Sequence, residues 1–268
     1  MIQIISNHTD DCNQIIQPNT IILGDCLEVM KKIPSNSINL ILTDLPYGTT
    51  SCSWDIIIPF EPLWVEYNRI IKSNGAILLF GSEPFSSMLR LSNIDMYRYD
   101  IIWDKMSTTN FATAKKMPLS CTENISVFYK KLPTYNPIMT DADPKKVRDI
   151  YVPLKNKSET NIFHSGITKK YSEGYDKTKR YPTKLIRFSS KGAECNSHNR
   201  QHPTQKPIIM LEYLIKTYSN EEDLIFDSCM GSGSTGVAAK NLNRKFIGIE
   251  KEEQYFEICK TRLPEFYI

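Results

Sequence analysis

Residues Ile38-Asn39-Leu40-Ile41-Leu42-Thr43-Asp44-Leu45-Pro46-Tyr47 decide how this chain is read. The first six are largely aliphatic and β-branched, the make-up of a short buried strand. A carboxylate and an aromatic ring then leave that strand together at its carboxyl end, where open α/β sheets bind their ligands. Pro46 fixes one φ angle and removes a backbone donor, so this corner is stiff and offers carbonyls rather than N–H groups. A carboxylate, carbonyls and a ring suit a planar base bearing an amino group. The oxygens accept from the amine and the ring stacks on the base.

Working outward, residues 20–23 predict a strand closed by Gly24-Asp25, and residues 26–33 a short helix. The polar stretch 48–55 predicts a flap beside the site. Residues 59–71 predict a helix, with Ser73-Asn74-Gly75 as its stop, and residues 76–80 a second buried strand. Residues 83–91 read as a helix; residues 97–103 and 124–129 read as strands. Beyond residue 200 a helix is expected over 208–218, a strand over 223–227 and a helix opening near Val237. A strand over 245–249 and a terminal helix over 252–263 complete the pattern. This alternation predicts an α/β, doubly wound, mostly parallel seven-stranded sheet. Its catalytic domain is expected from residues 1–130 and 201–268, with residues 131–200 inserted between.

That inserted stretch is polar, holds no regular period for long, and carries the charge. The chain has a net charge of +3, yet residues 131–200 hold 15 Lys and Arg against 7 Asp and Glu, a net of +8 on an otherwise acidic chain. Such a segment fits either a polyanion partner or a merely solvated basic insertion. Lys169, Lys170, Lys177, Lys179, Arg180, Lys184 and Arg187 are its phosphate-contact candidates. Apolar residues make up 41%, enough for a full core, and no window approaches a membrane span. The N-terminal residues lack the features of a signal peptide. Seven scattered cysteines without a Cys-x-x-Cys spacing predict a reduced, cytoplasmic protein with no zinc site and no disulfide framework.

A second constellation lies near the C-terminus. Phe226-Asp227 ends a strand, Gly231-Ser232-Gly233-Ser234-Thr235-Gly236 opens a helix, and Glu250 ends the next strand, 19 residues after Gly231. Glycines let the backbone approach a ligand, and an acid at about that distance holds ribose hydroxyls. No lysine follows the glycines, which rejects a phosphate-cradling NTPase loop. A nicotinamide dinucleotide, S-adenosylmethionine and a glycine-rich helix start that binds nothing all remain compatible with the loop.

Taken together, five stretches resemble an S-adenosylmethionine-dependent amino-methyltransferase of DNA. They are residues 24–27, 43–49, 202–207, 226–236 and 246–250. Their order, catalytic motif first and cofactor loop last, resembles the beta group of these adenine N6 and cytosine N4 enzymes. The resemblance implies that the target base is flipped out of double-stranded DNA and stacked on Tyr47. Asp44 and the Leu45 carbonyl, held by Pro46, would then accept from its amine. It implies an S-adenosylmethionine site drawn from Asp25, Thr204, Lys206, Phe226, Asp227, Gly231, Ser232, Gly233 and Glu250. Two departures stand out: Leu45 replaces a usual proline, and Ser228-Cys229 stands where Pro-Phe is common. Asp at the first catalytic position favours adenine. The chain has no Pro-Cys dipeptide, which excludes methylation of the cytosine ring carbon. Rival readings are the same chemistry on cytosine, RNA adenine or a protein glutamine, and a DNA-binding module with a weak or dead site. Asp25 reads equally well as a helix cap and Lys206 as a solvated lysine. No metal is expected, and the sequence leaves a homodimer open.

Overall fold

A computed structural model describes residues 15–144, 176, 178–191 and 205–266. Two compact units divide the chain, one of residues 1–136 with 184–268 and one of residues 137–183. The larger unit is built on one sheet of eight strands. They are β1 (Thr20–Leu23), β2 (Ile38–Thr43), β3 (Ile71–Gly81), β4 (Tyr97–Thr109), β5 (Ser120–Phe128), β8 (Leu185–Arg187), β9 (Leu224–Asp227) and β10 (Lys245–Glu250). Their order is β1-β10-β9-β2-β3-β5-β4-β8; the pairs from β1 to β3 are all parallel and β5 is antiparallel to both neighbours.

Strand alternation splits the core in two. On β3, Ala76, Leu78 and Phe80 face α4 (Ile208–Tyr218) and α5 (Ser234–Asn241), while Ile77 and Leu79 face α1 (Cys26–Met30), α2 (Phe60–Ile70) and α3 (Phe85–Ser92). Helix α6 (Glu253–Arg262) joins the first layer through Phe256 and Cys259. The sheet is therefore covered on both faces, as the apolar runs of β2 and β3 require. From β2 the chain moves outward to β3, and from β9 it moves the other way to β10. The switch point lies between β2 and β9, and ligand crevices of such sheets open there, at the carboxyl ends.

Four elements depart from the sequence reading. Gly75 does not stop α2. The helix ends at Ile70 and Ile71 turns directly into β3, with Gly75 inside the strand. A Cβ there would sit 2.8 Å from the Asn39 carbonyl, so close approach to β2 explains the glycine. Strands β4 and β5 extend well past the apolar runs expected, because polar residues continue the hairpin ladder as far as Thr109 and Ser120. An eighth strand, β8, arises from the basic segment and pairs with β4. Ile186 enters the core and the Trp103 indole donates to the Phe188 carbonyl at 2.8 Å. Trp103 is thus a packing residue, and β8 covers an edge that would otherwise be open.

In the smaller unit, β6 (Thr140–Asp141) pairs antiparallel with β7 (Lys179–Arg180), and Lys179 Nζ reaches Asp141 Oδ1 at 2.5 Å. Among the described residues no helix is long and apolar enough to cross a membrane.

Candidate active site

Two turns meet at the switch point. The first follows β2. Leu45 turns inward to the α1–α2 layer, 4% exposed, so the leucine anchors the turn in the core. No described residue donates to its carbonyl. Asp44 and Tyr47 stay half-buried toward the crevice, and the Tyr47 hydroxyl donates to Asp44 Oδ1 at 2.6 Å. Phe85 stacks on one face of the Tyr47 ring at 5.0 Å between centroids and 24° between planes. Lys206, just before α4, donates to Asp44 Oδ2 at 2.5 Å.

Glu123 completes this cluster. Antiparallel β5 enters the sheet from the crevice end, so its early residues lie beside the last residues of β3. Glu123 is 3.5 Å from Lys206 and 3.3 Å from Lys105, which the end of β4 supplies. Burial pushes the Asp44 carboxyl up, against the pull of Lys206. Burial works to lower the Lys206 ammonium, but the Asp44 and Glu123 carboxylates outweigh it and hold it above its usual value. Burial likewise works to raise Glu123, and the two lysines hold it below the usual range. Burial and the adjacent Asp44 charge push the Tyr47 phenol well above its ordinary value, so it remains a neutral donor.

The loop after Tyr47 is tied down by one side chain. The Asp55 carboxylate accepts from the backbone N–H groups of Gly48, Thr49 and Thr50 at 2.7–2.9 Å. The stretch expected as a flap is thus gathered at its start around a buried acid.

The second turn follows β9. The Ser228 N–H donates to Thr43 Oγ1 at 3.2 Å, which ties the end of β9 to the end of β2, and its hydroxyl bonds the hydroxyl of Tyr67 on α2 at 2.6 Å. Gly231 and Gly233 both take positive φ, 54° and 76°, as the turn into α5 demands. Glu250 Oε2 accepts from the Gly231 N–H at 2.8 Å, and Oε1 accepts from the Glu252 N–H at 2.8 Å. A carboxylate has about four acceptor sites, so these backbone donors leave acceptor capacity on Glu250. Arg262 braces the loop from α6, donating to the Ser232 carbonyl at 2.6 Å. Burial pushes the Asp227 carboxyl up to about 7.

Residues 38–261 match the family model described as DNA methylase, N6_N4_Mtase. The chain belongs to the N6/N4 DNA methylase family.

It is 30% identical to Type II methyltransferase M2.LlaDCHI of Lactococcus lactis subsp. cremoris, over 90% of this chain and 87% of that one. It is 29% identical to Type II methyltransferase M.HinfI of Haemophilus influenzae, over 92% and 68%. The crystal structure of the M1.HpyAVI–SAM complex aligns with a TM-score of 0.60 at 26% identity, covering 91% of this chain and 98% of that one. The cytosine-N4-specific PvuII DNA methyltransferase aligns at 0.63 and 16% identity over 96% and 95%, which shows a shared fold.

Within this N6/N4 methylase the residues expected from sequence are distributed unevenly. Asp44, Leu45, Pro46 and Tyr47 form one turn, and Asp227, Gly231, Ser232, Gly233 and Glu250 form its neighbour across the β2–β9 boundary. Asp25 caps α1, accepting from the Leu27 N–H at 2.9 Å, and pairs with Lys251 at 3.3 Å. Lys206, read from sequence either as a cofactor-site residue or as a solvated lysine, is buried and lies on Asp44 and Glu123. Phe226 is fully covered in the core and meets Tyr67 edge-on at 6.4 Å, so its side chain does not reach the crevice. Its place in the β9 alternation, one residue from Asp227, turns it to the other layer. Thr204 lies outside the described residues, as do Lys169, Lys170 and Lys177. Lys184 lies over the Tyr99 ring at 5.3 Å and Arg187 pairs with Asp104 at 3.2 Å, so both have partners within the larger unit.

Glu123, Lys105, Asp55 and Phe85 went unforeseen. The one signal for Glu123 is an acid directly ahead of the apolar run 124–129. No local pattern ties it to Lys206, which is 83 residues away.

Proposed function

We propose that this chain transfers a methyl group from S-adenosylmethionine to the N6 amine of an adenine flipped out of double-stranded DNA. The observation that carries the reading is the junction of the two turns at the switch point. The first presents acceptors, Asp44 and the Leu45 carbonyl, with a ring at Tyr47. The second presents the glycine turn and Glu250, arranged as an adenosine-binding loop requires.

The donor set fits the cofactor. Glu250 retains lone pairs for ribose hydroxyls, and the positive-φ glycines let backbone approach without a Cβ. The cofactor supplies an electrophilic methyl on a sulfonium. The chain supplies position and charge. The exocyclic amine is a weak nucleophile because its lone pair is delocalised into the ring. Two acceptors at Asp44 and Leu45 favour the tetrahedral nitrogen that attack needs and hold it in line. That is proximity with electrostatic alignment and no covalent intermediate. Phe85 stacks on one face of Tyr47 and so fixes the plane of the ring on which the base would stack. The basic segment 131–200 serves in this reading as the target-recognition region, with its lysines and arginines on phosphates.

Adenine rather than cytosine rests on the aspartate at position 44 and the resemblance drawn from it. Sequencing that reports modified bases, applied to DNA from a host expressing the chain, tests the proposal. N6-methyladenine in one fixed sequence context is the expected result. N4-methylcytosine instead would keep the chemistry and overturn the base assignment; unmodified DNA would overturn both.

A further inference from the structure

Glu123 Oε2 is shut off from solvent and has no hydrogen-bond partner among the described residues. Buried carboxylate oxygens are seldom left in that state, because an orphaned acceptor bears its full desolvation cost. The nearest cation is Lys206 Nζ at 3.5 Å, at ion-pair range but outside hydrogen-bond geometry. That ammonium is committed to Asp44 Oδ2 at 2.5 Å. One covered lysine, its side chain 10% exposed, therefore stands between two carboxylates, close on Asp44 at 2.5 Å and only at ion-pair range of Glu123 at 3.5 Å. Its four-carbon stem and rotating head let Nζ travel about an ångström with no backbone change.

The reaction gives this arrangement a use. In the present structure both Asp44 oxygens carry a donor, Tyr47 on Oδ1 and Lys206 on Oδ2. An incoming amine competes with Lys206 for Oδ2. Positive charge also develops on the amine nitrogen as the methyl arrives, and a cation held against Asp44 opposes it. Moving the ammonium to Glu123 frees Asp44 and satisfies the orphaned oxygen in one step. Lys105 at 3.3 Å holds Glu123 Oε1 in place for that exchange.

We propose that Lys206 is a two-position cation, resting on Asp44 in the free enzyme and passing to Glu123 Oε2 when a base amine takes Asp44. Glu123, backed by Lys105, is then a positioning residue for methyl transfer. The inference rests on the methyl-transfer reading above.

Glu123→Gln tests it, because a neutral amide keeps the shape and offers Lys206 no second anion. The expected result is a kcat lowered about tenfold or more, with KM for DNA and for S-adenosylmethionine within about twofold of wild type. Glu123→Asp, which keeps the charge, should recover several-fold of that loss. A folded Glu123→Gln variant with wild-type kcat overturns the proposal, and so do equal losses in the two variants, which would mean packing alone. The unsubstituted chain answers the same question if the variants do not fold. In its crystal structure with a target duplex and a cofactor analogue lacking a transferable methyl, Nζ should lie within hydrogen-bond distance of Glu123 and off Asp44. Nζ still on Asp44 beside a bound amine overturns the proposal. A wild-type chain that methylates no DNA fails the underlying reading. A wild type and a Glu123→Gln chain that methylate equally fail this inference alone.

Discussion

Asp44 and Asp227 lie at the carboxyl ends of neighbouring strands, and burial pushes both carboxyls up. Their consequences differ. Asp44 has Tyr47 and Lys206 as donors and faces the crevice. Replacing it with alanine removes the acceptor that aligns the amine, so methyl incorporation should fall by at least about a thousandfold while duplex binding stays within about twofold. Persistent methylation in Asp44→Ala would rule out its assigned role. Asp227 is 3% exposed, accepts from the Cys229 N–H and titrates near 7 against an ordinary value of 3.8. Its folded pKa is raised, so the unfolded chain ionises first as pH climbs. The cost to stability grows from about pH 4 to about pH 7 and is complete above that. Asp227→Asn keeps the acceptor and removes the charge. It should stabilise the fold at pH 8 by a few kcal/mol, on the order of the shift at ~1.4 kcal/mol per pH unit, and change little at pH 4. Urea melts at the two pH values check the sign, and equal effects at both would refute it.

At the scale of elements, α5 shows how packing overrides propensity. Gly236 is inside this helix, where alanine would be favoured by about 1 kcal/mol on propensity alone. A Cβ at that position would stand 2.6 Å from Leu263 Cδ1 and 2.8 Å from the Phe246 ring. Overpacking of that kind costs roughly 1–3 kcal/mol, which exceeds the propensity gain. Gly236→Ala should therefore destabilise the protein, and a higher denaturation midpoint for the variant would contradict the close packing of α5 on β10 and α6. The departure at Ser228 also finds its account here. Its N–H ties β9 to Thr43 on β2, a bond that a proline at this position could not make.

For the whole molecule, charge separates two tasks. In the larger unit two buried cations, Lys206 and Lys105, are set against two carboxylates, Asp44 and Glu123. The excess positive charge lies in segment 131–200. If that segment holds DNA through phosphates, replacing Lys169, Lys170 and Lys177 together with glutamine should flatten the salt dependence of duplex binding. The slope of log K against log salt should fall by about 0.9 for each phosphate no longer neutralised. Thermal stability should move little. An unchanged slope would remove those lysines from the interface.

The sequence by itself determined the layered α/β pattern and the two polar turns, because both are local. β-branched runs, a glycine-rich helix start and an acid 19 residues after Gly231 each announce themselves within a few turns of chain. Tertiary structure alone decided which groups meet at Asp44. Lys206 reaches Asp44 because α4, which it precedes, packs on the sheet face beside the crevice, and Glu123 reaches Lys206 because β5 runs antiparallel and enters the sheet from the crevice end. Those pairings span 162 and 83 residues of chain, and no periodicity or spacing encodes strand direction across such a distance.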